Sequence, residues 1–355
     1  MKRYGHLFEQ VYDMENLKRA HHNAKKGKGW YREVKMVDAN PEYYLTKLQD
    51  MLKNKTYRTS NYETFIKKDS GKEREIFKLP YFPDRICQWA LMLIIEPFLL
   101  KKFTDDTYSA IPGKGIHMCL NKLKRAIQTD VPGTQYCLKI DAKKYYPSIN
   151  HDILKSKYRT LFKDRNLLWL IDEIVDSTEG ETGIPIGNYL SQYSGNFYLS
   201  QFDHWIKEEK KVKHYFRYMD DCVIFGSNKE ELHQLRDEIN AIFQNDLKLN
   251  MKENWQIFPT FVRGVDFIGY RVFMNYTLLR KSIAKSYKSK MRFILKKELS
   301  GTQMNQSEWS AVNSYKGWLK YCDSYHLTQK YTTPLHRYER RYYYENIKNR
   351  KVDVA

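Results

Sequence analysis

The 355-residue chain has few cysteines, and they are scattered. Cys87, Cys119, Cys137, Cys222 and Cys322 are odd in number and include no Cys-x-x-Cys pair. This argues against a disulfide framework and a zinc ribbon, and suits a reducing cytoplasm. Long apolar runs are missing as well. No stretch of about 18 apolar residues occurs, so no membrane-spanning helix and no membrane partner are expected. The opening Met1–His6 lacks a signal-peptide apolar region, which adds to the expectation of a cytoplasmic protein. There is no internal repeat and no low-complexity tract. Negative charge is also scarce: 42 acids stand against 61 Lys and Arg, a net +19. Such an excess points to a polyanionic partner, nucleic acid ahead of an anionic membrane. The 29 Tyr, 17 Phe and 7 Trp favour nucleic acid, because stacking faces are interleaved with cations.

Against this background one stretch stands out, His214 to Gly226, in which two apolar β-favouring runs flank Asp220 and Asp221. The pattern predicts a hairpin with Met219, Asp220 and Asp221 at or beside the turn. Strand side chains alternate between faces, so only a turn lets neighbouring carboxylates approach one point. Two anions held that close repel unless a divalent cation sits between them. A solvated turn would also use Asp, so the pair alone leaves both readings open. A third acid shifts the balance. Tyr136 to Ile140 is another short apolar strand, and Asp141 ends it. If that strand pairs beside the hairpin, three carboxylates meet and suit two Mg²⁺ ions about 3.5–4 Å apart, an arrangement for in-line phosphoryl transfer.

Other segments set expectations of their own. Residues 7–53 read as mainly helical, with Leu7, Phe8, Val11 and Tyr12 on one face and Leu45, Leu48, Met51 and Leu52 on another. His21 to Lys28 reads as a polar basic loop. Thr64–Lys68 and Arg74–Lys78 flank the turn signal Asp69-Ser70-Gly71-Lys72 and predict a basic hairpin. Asp84 is placed to cap a helix with Ile86, Ala90, Leu91, Ile94, Ile95, Phe98 and Leu99 inward. Gly113-Lys114-Gly115 allows close approach to a phosphate, but no strand leads in and no Lys-Ser/Thr follows, so it is not a P-loop. Residues 151–180 read as helical. Ser227 with Glu230 gives a capping-box pattern before an amphipathic helix carrying Leu232, Leu235, Ile239, Ile242 and Phe243. Arg263–Phe273 reads as a hairpin, and the chain from Leu278 onward as helical and basic.

Four stretches in order, LKIDAKKYYPSINHDIL (138–154), GIPIGNYLSQYSGNFYL (183–199), RYMDDCVIF (217–225) and RGVDFIGYRVF (263–273), resemble consecutive motifs of a reverse transcriptase of the bacterial retroelement type. LPYFPDRICQWAL resembles the same family's first fingers motif, and SYKGWLKYCDSYHL its thumb signature. Ile186, Gly187, Asn188, Ser191 and Gln192 give a form similar to diversity-generating retroelement enzymes and their unclassified, partly phage-defence relatives.

The resemblance implies an α+β right-hand polymerase with a split-βαβ antiparallel palm sheet and a helical thumb. Its expected parts are an N-terminal helical extension (1–60), fingers (61–135), palm (136–150), a fingers insertion (151–182), palm again (183–276), and a thumb with a basic tail (277–355). It implies that Asp141, Asp220, Asp221 and the Ala142 carbonyl hold two Mg²⁺, with Mn²⁺ able to substitute, and that Lys252 meets the pyrophosphate. Tyr146 is expected under the sugar of the incoming nucleotide, where it excludes a 2′-OH, and one of Tyr145 and Tyr146 is expected in the core. Ile186, Gly187 and Gln192 face the nascent pair; relatives usually carry Gln at the Ile186 position. Lys114, or a basic residue of the 67–78 hairpin, would meet the triphosphate, because the Arg familiar near Ile111 is absent; Arg85, at a polar position of the first fingers motif, is a further nucleotide-binding candidate. Tyr218, Met219, Gly269 and Tyr270 would grip primer and template, and Lys285, Lys288 and Arg292 would line a duplex groove.

The implied activity is RNA-directed DNA synthesis on a dedicated non-coding RNA, in an anti-phage system or a diversity-generating retroelement. Partners would be that RNA, nascent DNA, deoxynucleoside triphosphates and a small accessory protein. Template-independent or protein-primed synthesis on the same fold, and a non-catalytic RNA-binding scaffold, are the alternatives.

Overall fold

Helix-period segments alternate with three small groups of strands, and a computed structural model describes residues 3–69 and 72–348 of this arrangement. The described residues fall into two units. The first gathers Met1–Gly115 and Leu138–Ile257, the second Ile116–Cys137 and Phe258–Ala355.

In the first unit the amino-terminal region is helical, as its periodicity predicts. Helix Met14–Ala24 is capped by Asp13, whose carboxylate accepts from Glu15 N and Asn16 N. Helix Pro41–Lys53 opens on a proline, with the Asn40 side chain accepting from Tyr43 N, and buries Leu45, Leu48 and Leu52. The polar loop is shorter than expected. His21 lies inside the first of these helices and is buried, its ring between the Tyr81 hydroxyl (2.8 Å) and Asp38 (2.9 Å). Only residues 25–31 separate that helix from Arg32–Ala39.

Strands β1 (Glu63–Asp69) and β2 (Lys72–Lys78) pair antiparallel from Glu63↔Lys78 to Asp69↔Lys72. The predicted turn residues Ser70 and Gly71 lie outside the described residues, as do 349–355 of the basic tail.

Asp84 does not cap the following helix. It is fully buried, and its carboxylate accepts from the Tyr57 hydroxyl (2.9 Å) and Ser60 N (3.1 Å). The anchor formed with the 57–60 segment wins because a buried carboxylate needs donors wherever they lie. Helix Ile86–Leu100 follows with Ile86, Ala90, Leu91, Ile95 and Leu99 buried; Ile94 and Phe98 are half-buried.

The central sheet contains β3 (Tyr136–Ile140), β4 (Tyr215–Tyr218), β5 (Asp221–Gly226) and β6 (Gln256–Pro259), in the order β4-β5-β3-β6. Helices join β3 to β4 and β5 to β6, giving the split-βαβ plan expected from the sequence. The expected helical stretch after β3 comprises His151–Leu161 and Arg165–Val175. Helix Tyr189–Tyr198 is buried on most of its surface, which suits its small residues Ser191, Ser194 and Gly195. Helix Lys229–Asn245 is capped by Asn228 rather than Ser227. The Asn228 side chain accepts from Glu230 N (2.8 Å) and Glu231 N (3.3 Å), one residue later than the predicted box.

The second unit holds helix Ile116–Thr129, a three-stranded sheet of β7 (Val265–Phe267), β8 (Tyr270–Val272) and β9 (Thr277–Leu279), and the helices Lys281–Leu299, Gln306–Leu319 and His336–Tyr343. The hairpin is as predicted, but Leu278 lies in a third strand and not in a helix. Gly269, at φ +89°, is forced: a Cβ there would come within 2.5 Å of the Trp318 ring. Tyr270 is fully buried and donates its hydroxyl proton to the Trp318 carbonyl (3.0 Å). That packing corrects its expected place at the primer, since a side chain with no exposed surface does not meet nucleic acid. Lys285 and Arg292 are exposed along one face of Lys281–Leu299 with Lys288 half-buried between them, and Arg292 donates to the Tyr331 hydroxyl (3.0 Å).

Asp84→Ala is expected to lower stability by about 1–3 kcal/mol, because it strands the buried Tyr57 hydroxyl and frees the half-buried Ser60 N–H. Denaturant unfolding followed by tyrosine and tryptophan fluorescence measures this, and a loss under about 0.5 kcal/mol would contradict the anchoring role.

Candidate active site

The site is assembled where β3, β4 and β5 end. Tyr218 and Asp221 are the last paired residues of the β4–β5 hairpin, so Met219 and Asp220 form a two-residue turn. Met219 takes φ +57°, a left-handed conformation that costs a non-glycine residue about 1–2 kcal/mol. The hairpin is held from beneath by Arg217, which is fully buried and pairs with the equally buried Asp203. Arg217 Nη1 also donates to the Met219 carbonyl (2.8 Å).

β3 lies beside β5, so Asp141, one residue past its end, reaches the turn. That brings the Asp141 carboxyl up to Asp220. Burial first, and then the neighbouring Asp141 carboxyl, raise the Asp220 pKa above the usual carboxylate range. Two lysines answer this crowding. Lys252 N donates to the Asp141 carbonyl (2.8 Å), and its ammonium sits on Asp141 Oδ2. Lys139, two residues before Asp141 and hence on the same face of β3, lies 3.5 Å from Asp221 Oδ2. Sequence reasoning missed Lys139, although the alternation of side chains along a strand would have found it.

Ala142 is buried and opposes Met251 in an isolated antiparallel bridge. The flanking bonds, Lys143 N to Asn250 O (2.7 Å) and Lys252 N to Asp141 O, leave the N–H and carbonyl of Ala142 out of that pairing.

The adjacent tyrosines diverge. Tyr145 is buried, and its hydroxyl donates to the Gly195 carbonyl (2.5 Å). Tyr146 is half-buried, with its hydroxyl 3.7 Å from Met219 Sδ. Gly187, at φ +129°, lies so near β2 that a Cβ would fall 2.5 Å from the Phe77 carbonyl, and the Ile186 carbonyl accepts from Phe77 N (3.1 Å). Gln192 is exposed on the helix Tyr189–Tyr198, and Tyr218 is half-buried on β4.

Two nucleotide-binding candidates are engaged elsewhere. Lys114 donates to the Asp105 carbonyl (3.0 Å) and lies over the Tyr108 ring, and Arg85 Nε donates to the Ala24 carbonyl (3.2 Å). Gly269, Tyr270, Lys285, Lys288 and Arg292 belong to the second unit.

Among the described residues, no three His, Cys, Asp or Glu side chains are arranged about one point as metal ligands would be. Lys252 pairs with Asp141, and Lys139 lies near Asp221. The donor chemistry fits a hard divalent cation: three carboxylates lie at the ends of adjacent strands, and the raised pKa of Asp220 marks a crowding that a cation would relieve.

Residues 66–272 match the family described as reverse transcriptase (RNA-dependent DNA polymerase). The chain is similar to protein YkfC of Escherichia coli (strain K12), 22% identical over 250 residues, covering 59% of this chain and 65% of that one. It is also similar to the group II intron-encoded protein LtrA of Lactococcus lactis subsp. cremoris, 21% identical over 322 residues, covering 70% of this chain and 53% of that one. The chain thus spans between half and two thirds of the length of these relatives.

Because the Asp220 pKa is raised, the folded chain holds a proton there that the unfolded chain releases, and stability falls as pH climbs from the ordinary carboxylate range toward neutral. Asp220→Asn removes the penalty. At pH 7.5 without divalent ions it is expected to unfold several degrees above the wild type, and Mn²⁺ is expected to raise the wild-type midpoint while leaving that of Asp220→Asn nearly unchanged. Thermal scans with and without Mn²⁺ check both; a wild type indifferent to Mn²⁺ would remove the metal assignment.

Proposed function

The chain belongs to the reverse transcriptase family, and from that premise we propose that it copies RNA into DNA at the Asp141–Asp220–Asp221 site. The observation that carries the reading is the sheet order, which brings Asp141 at the end of β3 beside the Asp220–Asp221 end of the β4–β5 hairpin, inside the segment that matches the family. Asp141, Asp220, Asp221 and the Ala142 carbonyl are the groups to hold two Mg²⁺ or Mn²⁺. When bound, such ions acidify a primer 3′-hydroxyl and neutralise departing pyrophosphate.

The chain's own side chains supply the rest. Lys252 pairs its ammonium with Asp141 from a backbone fixed by its hydrogen bond to the Asp141 carbonyl, and once that carboxylate is taken by a cation the ammonium would be released to the leaving phosphates as a charge clamp or proton donor. Tyr146 presents a half-exposed ring beside the turn and is assigned the contact that excludes a 2′-OH, while Tyr145 anchors it to the core. Gly187 lets its segment lie close against β2, and Ile186 beside it and the exposed Gln192 are assigned to the nascent pair. An apolar side chain at 186 forms no hydrogen bond to that pair, so selection there rests on shape.

In this reading the first unit contains most of the fingers and palm; residues 116–135 of the expected fingers and 136–137 and 258–276 of the expected palm belong to the second. The basic face Lys285–Lys288–Arg292 belongs to a thumb that follows the phosphates of a duplex. The partners are a structured non-coding RNA, the growing DNA, deoxynucleoside triphosphates and a small accessory protein. The setting is a cytoplasmic anti-phage system or a diversity-generating retroelement, which the form Ile186-Gly187-Asn188 with Ser191 and Gln192 supports. No helix among the described residues is long and apolar enough to cross a membrane.

Replacing both Asp220 and Asp221 with alanine is expected to reduce RNA-templated deoxynucleotide incorporation by at least about 10³-fold while leaving RNA binding within about threefold. Primer extension with labelled deoxynucleotides, run with and without RNA template alongside filter binding, measures this. Incorporation that survives the double change, or that proceeds equally without template, would overturn the reading. Ile186→Gln is expected to alter the misincorporation spectrum opposite template adenine in particular, read by sequencing the products; an unchanged spectrum would take Ile186 out of base selection.

A further inference from the structure

Arg217 has no exposed surface, and all of its donors are used. Nε donates to Asp203 Oδ1 (2.6 Å) and Nη2 to Asp203 Oδ2 (2.5 Å). Nη1 donates to the Met219 carbonyl (2.8 Å) and to Asn196 Oδ1 (3.1 Å), and Nη2 also reaches Thr107 Oγ1 (3.2 Å). Asp203 is completed by the Tyr215 hydroxyl (2.7 Å) and Thr107 Oγ1 (3.2 Å), while Asn196 donates onward to the Ser109 carbonyl (2.7 Å). A fully buried ion pair of this kind adds little net stability over an apolar pair of similar volume, so what it fixes in space is the more informative question.

It fixes two pieces of backbone at once. One is the Met219–Asp220 turn, whose left-handed Met219 needs surroundings that over-determine it. The other is Asn196, reached at its side-chain oxygen (3.1 Å) and at its carbonyl (3.5 Å), with Gly195 next to it in the chain. Tyr146 stands between these two pieces: its hydroxyl points at Met219 Sδ and lies 3.5 Å from where a Cβ on Gly195 would be, while the Gly195 carbonyl accepts from Tyr145. We propose that Arg217, set by Asp203, is a positioning residue that locks the Asp220 turn and the seat of Tyr146 into one rigid body, so that cation binding and sugar discrimination depend on the same guanidinium. A planar fork reaches a carboxylate, a side-chain amide and a carbonyl together; a single ammonium does not. The proposal rests on the reading of Asp220 as a cation ligand and of Tyr146 as the sugar contact.

The test uses the full chain with Arg217→Lys, which keeps the charge opposite Asp203, and with the neutral double variant Asp203→Leu plus Arg217→Met. Three quantities are read: the thermal unfolding midpoint, Mn²⁺ affinity by electron paramagnetic resonance without nucleic acid, and the ratio of kcat/KM for deoxynucleotides over ribonucleotides. Arg217→Lys is expected to unfold within a few degrees of the wild type, to bind Mn²⁺ at least fivefold more weakly, and to lose at least fivefold in sugar discrimination; the neutral variant is expected to show both losses more strongly. A folded variant with both Mn²⁺ affinity and sugar discrimination unchanged would overturn the proposal. Failure of both variants to fold would also overturn it, by making the pair a requirement of the fold itself. Asp220→Asn and Tyr146→Ala serve as controls. If Asp220→Asn leaves Mn²⁺ binding intact, or Tyr146→Ala leaves ribonucleotides excluded, the underlying reading of that residue fails, and the other readout still judges Arg217.

Discussion

Two carboxyl groups that would separate in water are brought side by side here, Asp141 from the end of one strand and Asp220 from a tight turn. Everything nearby answers that unfavourable approach. The sheet order β4-β5-β3-β6 brings the two acids together at one end of the central strands, and the lysines at 139 and 252 pair with Asp221 and Asp141 there. A fold does not gather like charges for its own stability. The cost is explicable as preparation for a bound cation, and it is the sort of local conflict that functional sites retain.

Much of this was legible because it is written in short-range pattern. An apolar strand ending in Asp141, and two apolar runs closing on adjacent acids, specify a strand end and a hairpin through short apolar runs bounded by turn residues. The split-βαβ plan followed from the order of those segments. Divergence of Tyr145 and Tyr146 was also readable, since neighbouring side chains leave the backbone in different directions; the sequence could not say which of the two would be core. That depended on the Gly195 carbonyl, fifty residues away.

Several misreadings are of polar side chains for which the nearest pattern named the wrong partner. Asp84 stood at a helix start and was given the local role, but Tyr57 and Ser60 claimed it. Ser227 matched a capping pattern, yet Asn228, one residue on, supplies the acceptor with its longer side chain. Tyr270 belongs to a motif that resembles a primer grip, yet the Trp318 carbonyl receives its hydroxyl. Local propensity proposes such partners, and burial chooses among them, because an unmet hydrogen bond in the interior costs more than a weak cap outside.

Arg217 is the residue from which alternation alone could have extracted most. It lies in Tyr215-Phe216-Arg217-Tyr218, a strand otherwise built for the interior, and alternation puts it on the face shared with the buried Tyr215. A guanidinium there has to find a carboxylate that is also buried, and Asp203, placed between Phe202 and His204 on a helix whose neighbours are apolar, was a strong candidate. A charged residue that periodicity sends into a core therefore demands a buried partner of opposite sign, and the same periodicity narrows the choice of that partner. It also predicts rigidity: once several donors of one planar group are committed, the backbone segments they hold cannot move independently. In this chain those segments carry Asp220 on one side and the seat of Tyr146 on the other.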